Sequence, residues 1–229
     1  MNHILPKNID LDNFIDYLSQ FITENRLNRI KEVASKRTRY FSVVLENIYQ
    51  SHNASAVLRS CDCFGIQNVY VVESINKFEP NAEIALGAEK WLDIEHFTGD
   101  DAINLCYDKL RKQGYKIAAT TPHYNPILID DLPIDNPVAL IFGTEKDGLS
   151  DAAIENADFK VALPMLGFTE SFNISVSAAI FMSKLIDKSN FQKQNIFISN
   201  DEQKELIAQW ILNTVKDPNG LINNYLLKF

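Results

Sequence analysis

The sequence lacks the features on which membrane and secreted proteins depend. No apolar run reaches the roughly 18 to 20 residues that would span a bilayer, and the stretch 1–12 has one lysine and no apolar segment of the signal-peptide type. The cysteines number 3, and reduced thiols in the cytosol explain an odd number more simply than a disulfide framework does. We therefore expect a cytoplasmic protein without membrane contact, with buried thiols at Cys61, Cys63 and Cys106.

Metal ligands and phosphate-binding glycines are missing as well. Cys61 and Cys63 lie two apart in a helical pattern, where they point to different faces and cannot both bind one metal ion. The histidines are scattered without ligand spacing, at His3, His52, His96 and His123. The segment "NIYQSHNASAVLRSCDCFG" after the first expected strand has no glycine before Gly65, which argues against the Gly-rich turn of ordinary dinucleotide sites. We expect no metal centre.

Positive charge is scarce, with 22 Lys and Arg against 30 Asp and Glu and a net charge of -8. This balance argues against generic nucleic-acid binding, since affinity for phosphate comes from clustered cations. The segment "ENRLNRIKEVASKRTR" at 24–39 reverses the balance locally. Its cations are candidate RNA-binding residues, although a solvated helix face explains them equally well: Arg26, Arg29, Lys31, Lys36, Arg37 and Arg39.

Alternating strand and helix patterns predict an α/β fold. Apolar or β-branched runs indicate buried strands of a parallel sheet at 41–46, 68–73, 115–120, 138–143 and 159–164. Helical patterns lie between and after them, at 54–64, 101–113, 150–156 and 174–187. Amphipathic helices precede the sheet up to about Ser35, and another follows it from about Asp201 to Lys216, where the turn "DPNG" would end it.

This pattern divides the chain into three expected parts. An N-terminal helical extension with the basic cluster covers 1–39, an α/β core covers 40–190, and a C-terminal helical extension covers 191–229.

Polar residues follow three of the expected strands and would converge at one end of the sheet. His52, Asn53 and Ser55 follow the first strand, and Asn53 or Ser51 could cap the next helix. The stretch "FGTEKDGLS" follows the fourth strand, and "LPMLGFTESFN" follows the fifth. So many polar residues exceed what a simple turn requires, which predicts a ligand site.

Two of these segments contain residues with more than one interpretation. Glu145 is presented where α/β sheets bind ligands, and Gly143 and Gly148 permit close approach and positive φ; the alternative is a plain turn before a helix capped by Ser150. Arg59 could face the same cleft as Asn53 and clamp a phosphate. A surface arginine paired with Asp62 is the alternative.

Three ordered motifs carry a family resemblance. "HNASAVLRSCDCFGIQNV", "LIFGTEKDGLSD" and "LPMLGFTESFNISVSAA" resemble the motifs of the SpoU family of RNA ribose methyltransferases in the SPOUT superfamily, over about residues 41–187. The terminal helices and "GAEKWLDIEHF" resemble the TrmH branch, which methylates the ribose of a D-loop guanosine in tRNA. Ribosomal RNA, another tRNA ribose, and RNA binding without catalysis remain the alternatives.

The resemblance implies a parallel sheet with a deep C-terminal trefoil knot, S-adenosylmethionine as methyl donor, and a homodimer with active sites at the subunit interface. It places donor contacts on Thr120, Gly143, Leu163 and Phe172. It places the catalytic set on Asn53, Arg59, Glu145, Ser171 and Asn173. Phe172 departs from the leucine that is usual in the family, and the overall acidity departs from the basic character of many tRNA-binding relatives.

Overall fold

A computed structural model describes residues 5–6, 9–75, 78 and 81–228. The chain divides into two compact units. The smaller unit combines the two ends of the chain, Met1–Arg37 and Phe197–Phe229, and the larger unit is Thr38–Ile196. His3 lies outside the described residues.

The described residues form the following helices and strands. The helices are α1 Leu11–Ser19, α2 Glu24–Ala34, α3 Ser51–Cys63, α4 Ala82–Ala85, α5 Ala102–Lys112, α6 Asp151–Glu155, α7 Ile174–Phe191, α8 Asn200–Leu212 and α9 Pro218–Lys228. The strands are β1 Phe41–Glu46, β2 Asn68–Glu73, β3 Asp93–Thr98, β4 Lys116–Thr120, β5 Ile127–Leu128, β6 Val138–Phe142 and β7 Phe159–Ala162. Two short 3-10 turns complete the set, at Ala88–Lys90 and Ile129–Asp131.

Within these residues the strands form one parallel sheet in the order β3-β2-β1-β6-β4-β7-β5. The predicted α/β class and its five predicted strands are confirmed. The sequence patterns missed β3, whose polar residues occupy an edge, and β5, which has only two residues and both are exposed. Because every strand runs the same way, the carboxyl ends of β1, β4, β6 and β7 share one edge of the sheet.

The sheet is buried on both faces, which explains its continuous apolar runs. In β1, Phe41, Val43 and Leu45 pack into a cluster that includes residues of α3 and α7. Val44 points the other way, into a cluster with residues of α5 and α6. Each fully buried side chain of this kind contributes roughly 1.5–3 kcal/mol. This two-sided core fixes the sheet edge from which the site is built.

The smaller unit contains α1, α2, α8 and α9. Asp10 caps α1, Thr23 caps α2, and Ser199 begins α8 with a capping box. The helices predicted before and after the sheet in the sequence are confirmed. The expectation that "DPNG" ends a helix running to Lys216 is wrong. The helix α8 ends at Leu212, and Pro218 begins α9 while Asp217 accepts a hydrogen bond from the Gly220 amide. Proline is favoured at a first helical position, where its missing N–H is no loss.

The cysteines differ in exposure. Cys61 and Cys106 are buried, as expected, whereas Cys63 is exposed because it lies on the other side of α3. All three are free thiols. Within the described ranges, no helix combines the length and apolar character that a membrane crossing requires.

Candidate functional site

A cavity of about 430 Å³ opens at the carboxyl edge of the sheet. Its wall is built from the segments that follow β4, β6 and β7 and from the first turns of α7. All four residues expected to contact the donor line this cavity, namely Thr120, Gly143, Leu163 and Phe172. Its size is within the range usual for small-molecule sites.

A tight loop between Gly143 and Gly148 forms one wall of the cavity. Thr144 and Gly148 exchange backbone hydrogen bonds, and Gly148 has a φ of 72°. A Cβ atom on Gly143 would lie 2.1 Å from the Gly148 carbonyl oxygen, so the loop can close this tightly only with glycine there. This closure directs Glu145 to the rim of the cavity.

Glu46, at the end of β1, anchors the far end of that loop. Its carboxylate is 3% exposed and accepts hydrogen bonds from the Ser150 amide at 2.9 Å and from Ser150 Oγ at 2.6 Å. Ser150 Oγ also accepts from the Ala153 amide, which confirms Ser150 as the cap of α6. The sequence analysis missed Glu46. Its signal was a carboxylate at the end of a strand that reads as buried, since a buried charge requires charge-assisted partners.

Asn173 connects the polar segments that follow β1, β6 and β7. Its Nδ2 donates to Asn53 Oδ1 at 3.1 Å and to Glu145 Oε1 at 2.5 Å. Its Oδ1 caps α7 by accepting from the Ser175 amide at 2.9 Å and from Ser175 Oγ at 2.6 Å. The fold thus brings three of the five expected catalytic residues into direct contact.

Asn53 is buried, with 3% of its surface exposed, and does not cap α3 as expected. Its Nδ2 donates to Gln50 Oε1 at 2.9 Å, and its Oδ1 faces Asn173. Gln50 occupies the cap position of α3, but its side chain makes no capping hydrogen bond. Ser51 does not cap the helix either; its carbonyl oxygen accepts from Ser55 Oγ. The sequence analysis did not identify Gln50.

Arg59 and Ser171 are not part of the hydrogen-bond network that joins Asn53, Asn173 and Glu145. Ser171 lines the cavity, as Glu145 does. Arg59 is exposed on α3, and no described residue forms an ion pair or hydrogen bond with its guanidinium, Asp62 included. Asn53 is buried whereas Arg59 is exposed, and that both face one cleft stays a prediction. Six helical residues turn a side chain by about 240°, which separates the two faces.

The candidate RNA-binding cations split into two groups. Four are exposed in and just after α2, where Glu32 accepts from Arg29 at 2.8 Å and from Lys36 at 2.7 Å. The hydrogen bond from Lys36, followed by that from Arg29, lowers the pKa of Glu32. The exposed cations are Arg26, Arg29, Lys31 and Lys36.

The structure removes Arg37 and Arg39 from the exposed cluster. Arg37 is 1% exposed, and its guanidinium lies 5.0 Å from the ring centroid of Trp210. Arg39, in the larger unit, donates to Asp93 at 2.6 Å and also to Asn68. Burial of Arg37 over Trp210 and the pairing of Arg39 with Asp93 leave these two guanidinium groups less accessible than the other four cations.

In the described part of the chain, no group of three His, Cys, Asp or Glu side chains is arranged to bind an ion. The site instead consists of a partly apolar cavity, a carboxylate rim and an amide network.

Comparison with known proteins gives this arrangement a family context. The model of the SpoU rRNA Methylase family matches residues 40–183. The tRNA (guanosine(18)-2'-O)-methyltransferase of Borreliella burgdorferi is 36% identical over 203 residues, which are 89% of this chain and 92% of that protein.

Two solved structures resemble the fold. The A. aeolicus TrmH/SpoU tRNA modifying enzyme superposes with a TM-score of 0.75 at 27% identity, over 84% of this chain and 98% of that one. The SpoU methyltransferase AviRb from Streptomyces viridochromogenes, solved in complex with the cofactor AdoMet, gives a TM-score of 0.59 at 19% identity, over 68% of this chain and 62% of that one. The second similarity concerns the fold alone.

Proposed function

This chain belongs to the SpoU rRNA methylase family, and from that membership we propose that it is an S-adenosylmethionine-dependent tRNA (guanosine(18)-2'-O)-methyltransferase. One observation carries the choice of tRNA. The similarity to the Borreliella enzyme covers 203 residues, which is more than the span 40–183 of the family model, so it includes part of the terminal helices. Ribosomal RNA, named in the family's description, is the alternative substrate.

The cavity fits a sulfonium methyl donor. Leu163 and Phe172 supply apolar surface for a nucleoside, while Thr120 and Ser171 supply polar groups. Gly143 brings its backbone to the cavity wall, and its lack of a side chain lets the loop close against Gly148. Glu145 and Glu170 place carboxylates on the cavity wall, which favours a positively charged sulfur.

The chemistry then depends mainly on positioning. When bound, the donor supplies an electrophilic methyl group; the ribose 2'-oxygen forms the new bond to it as the bond to sulfur breaks, and the hydroxyl proton must leave. Glu145 and Asn53 would orient Arg59 or the ribose, and Ser171 and Asn173 would hold the shape of the loop. These roles follow from the family resemblance and from the contacts among Asn53, Glu145 and Asn173.

Arg59 would hold the phosphate next to the target ribose and stabilise the developing alkoxide. A guanidinium remains protonated above pH 12 and is a poor base, so the proton would leave through phosphate or water. Because Arg59 is not among the described residues that line this cavity, we propose that it serves the cavity of a second subunit in a homodimer. Leu166 and Phe168 fully expose their side chains on the loop after β7, as a subunit-covered loop would in an isolated protomer.

The remaining features of the proposal follow the family pattern. The loop from Pro164 to Asn173 would fold around the donor as part of a trefoil knot. The parts 1–39 and 191–229 would contact tRNA, with Arg26, Arg29, Lys31 and Lys36 as phosphate contacts, and the core 40–190 would perform the chemistry. In keeping with a tRNA substrate, we propose that the protein acts in the cytoplasm, and we expect no membrane or metal partner.

The test is methyl transfer from labelled S-adenosylmethionine to unmodified tRNA, followed by nucleoside analysis. We expect label in 2'-O-methylguanosine, lost when guanosine 18 is replaced in the tRNA and lost in Arg59→Ala. Label in ribosomal RNA alone would keep the enzyme class and overturn the tRNA assignment. Label in neither RNA would overturn the function.

A further inference from the structure

We propose that Gln50 is a positioning residue that fixes the side-chain amide of Asn53 for methyl transfer; this inference rests on the proposed function. Gln50 is not among the residues that the family motifs mark. Its Oε1 accepts a hydrogen bond of 2.9 Å from Asn53 Nδ2, and this contact begins a chain of four side chains, Gln50, Asn53, Asn173 and Glu145.

The direction of every hydrogen bond in this chain is determined by a backbone group. The Ser175 amide can only donate, so the atom of Asn173 that faces it must be the oxygen, Oδ1. Asn173 Nδ2 therefore points away from α7 and requires acceptors, which Glu145 Oε1 and Asn53 Oδ1 provide. Asn53 must then present its oxygen to Asn173 and its Nδ2 to the opposite side.

Gln50 supplies the acceptor for Asn53 Nδ2 on that opposite side. Asn53 is 3% exposed, so an Nδ2 without an acceptor would be a buried, unsatisfied donor. Gln50 Oε1 reaches it from the start of α3, where the glutamine itself is exposed and open to substitution. Without this acceptor, the buried Nδ2 loses its partner, and any rotation of the Asn53 amide in response turns a donor towards Asn173 Nδ2. Gln50 thereby holds Asn53, Asn173 and Glu145 in one hydrogen-bonding pattern.

If position 50 served only to stabilise α3, a different residue would suit it better than glutamine. It occupies the cap position of α3 with φ -84° and ψ 112°, where serine, threonine or aspartate would accept from the free amides of the first turn. Its side chain makes no such bond and serves Asn53 instead. A residue that only stabilised the helix would cap it, and this difference separates a positioning role from a structural one.

Three substitutions test the role by steady-state methyl transfer to tRNA, with kcat and KM separated. Gln50→Leu removes the acceptor, and we expect kcat to fall about tenfold with KM for tRNA nearly unchanged. Gln50→Glu retains an acceptor at the same reach and should restore most of kcat. Gln50→Ser can cap α3, so it should raise the unfolding temperature while kcat falls as in Gln50→Leu. Gln192→Leu, at an exposed glutamine after α7, is the matched control.

A second readout does not depend on the substrate. The side-chain amide resonances of Asn53, assigned with Asn53→Asp, should shift in Gln50→Leu and return close to their original positions in Gln50→Glu. Unmoved resonances, or an unchanged kcat in Gln50→Leu beside an active parent enzyme, would overturn the role of Gln50. A parent enzyme that methylates no RNA would instead overturn the proposed function, whatever the resonances show.

Discussion

Asn173 Nδ2 lies 3.1 Å from Asn53 Oδ1, and the two residues are separated by 120 positions in the sequence. The contact joins the start of α3 to the start of α7, which pack against each other under the sheet. Its existence depends on β1 and β7 running parallel with their carboxyl ends at one edge. The candidate site is therefore a product of the sheet topology.

Asn173→Asp separates the two functions of this side chain. Aspartate still caps α7 through an oxygen, but it cannot donate to Asn53, and its charge repels Glu145. Losing a hydrogen bond to a charged group costs about 1.5–3 kcal/mol, so we expect kcat/KM to fall roughly ten- to a hundredfold.

The same variant should retain nearly the parent unfolding temperature, measured by circular dichroism. Asn173→Ala, which loses cap and donor together, should lose both activity and about 1 kcal/mol of stability. Activity in Asn173→Asp within twofold of the parent would show that the donation to Glu145 and Asn53 has no catalytic value.

Gly143 and Gly148 form a matched pair for testing the loop after β6. In Gly143→Ala the new Cβ would lie 2.1 Å from the Gly148 carbonyl oxygen, so the loop must open. We expect the affinity for S-adenosylmethionine, measured by calorimetry, to fall more than tenfold. Gly148→Ala meets no neighbour within 4 Å and suffers only from its φ of +72°, a strain of about 1–2 kcal/mol.

Gly148→Ala should therefore lower stability while changing donor affinity less than Gly143→Ala does. Equal losses of affinity in the two variants would contradict the close approach as the reason for glycine at position 143.

Lys31 and Arg37 are predicted to act differently although both are cations of one segment. Lys31 is exposed, so Lys31→Ala should weaken tRNA binding several-fold at low salt and reduce the slope of log affinity against log salt by about one. Arg37 is buried over Trp210, so Arg37→Met should instead lower the free energy of unfolding by about 1–2 kcal/mol.

Filter binding over a salt series and thermal unfolding measure the two effects. If Arg37→Met changed the slope of log tRNA affinity against log salt and left stability unchanged, Arg37 would be an RNA-binding residue after all.

The thiols should react in two classes. Cys63 is exposed and should react with a disulfide reagent within minutes at pH 8, whereas Cys61 and Cys106 are buried. Burial raises the pKa of the Cys106 thiol to about 12, so almost none of it is the reactive thiolate at that pH. Raising the pH from 7 to 9 should therefore leave the Cys106 thiol of the native protein unreactive.

Counting thiols with and without denaturant checks this pattern. Cys63→Ser should leave no fast-reacting thiol in the native protein. A second fast thiol in that variant would show that the core over α3 or α5 opens readily.

The sequence by itself determined the α/β class, because buried parallel strands require apolar runs such as 41–46 and 138–142, which are local patterns. It also determined which segments are polar beyond the needs of a turn, and hence where a site would be built. It did not indicate β3 or β5, because an edge strand and a two-residue strand need no apolar run.

Only the tertiary structure decided which polar residues meet. Asn53 and Asn173 are joined by strand order, Gln50 serves Asn53 in place of capping its own helix, and Glu46 anchors Ser150 from 104 positions away. By charge alone, Arg37 was grouped with Lys31 as a candidate RNA-binding residue. The structure distinguishes them, because Arg37 is buried over Trp210. Local propensity depends on neighbours in sequence, whereas hydrogen-bond partners and burial depend on neighbours in space, and these are known only once the sheet is assembled.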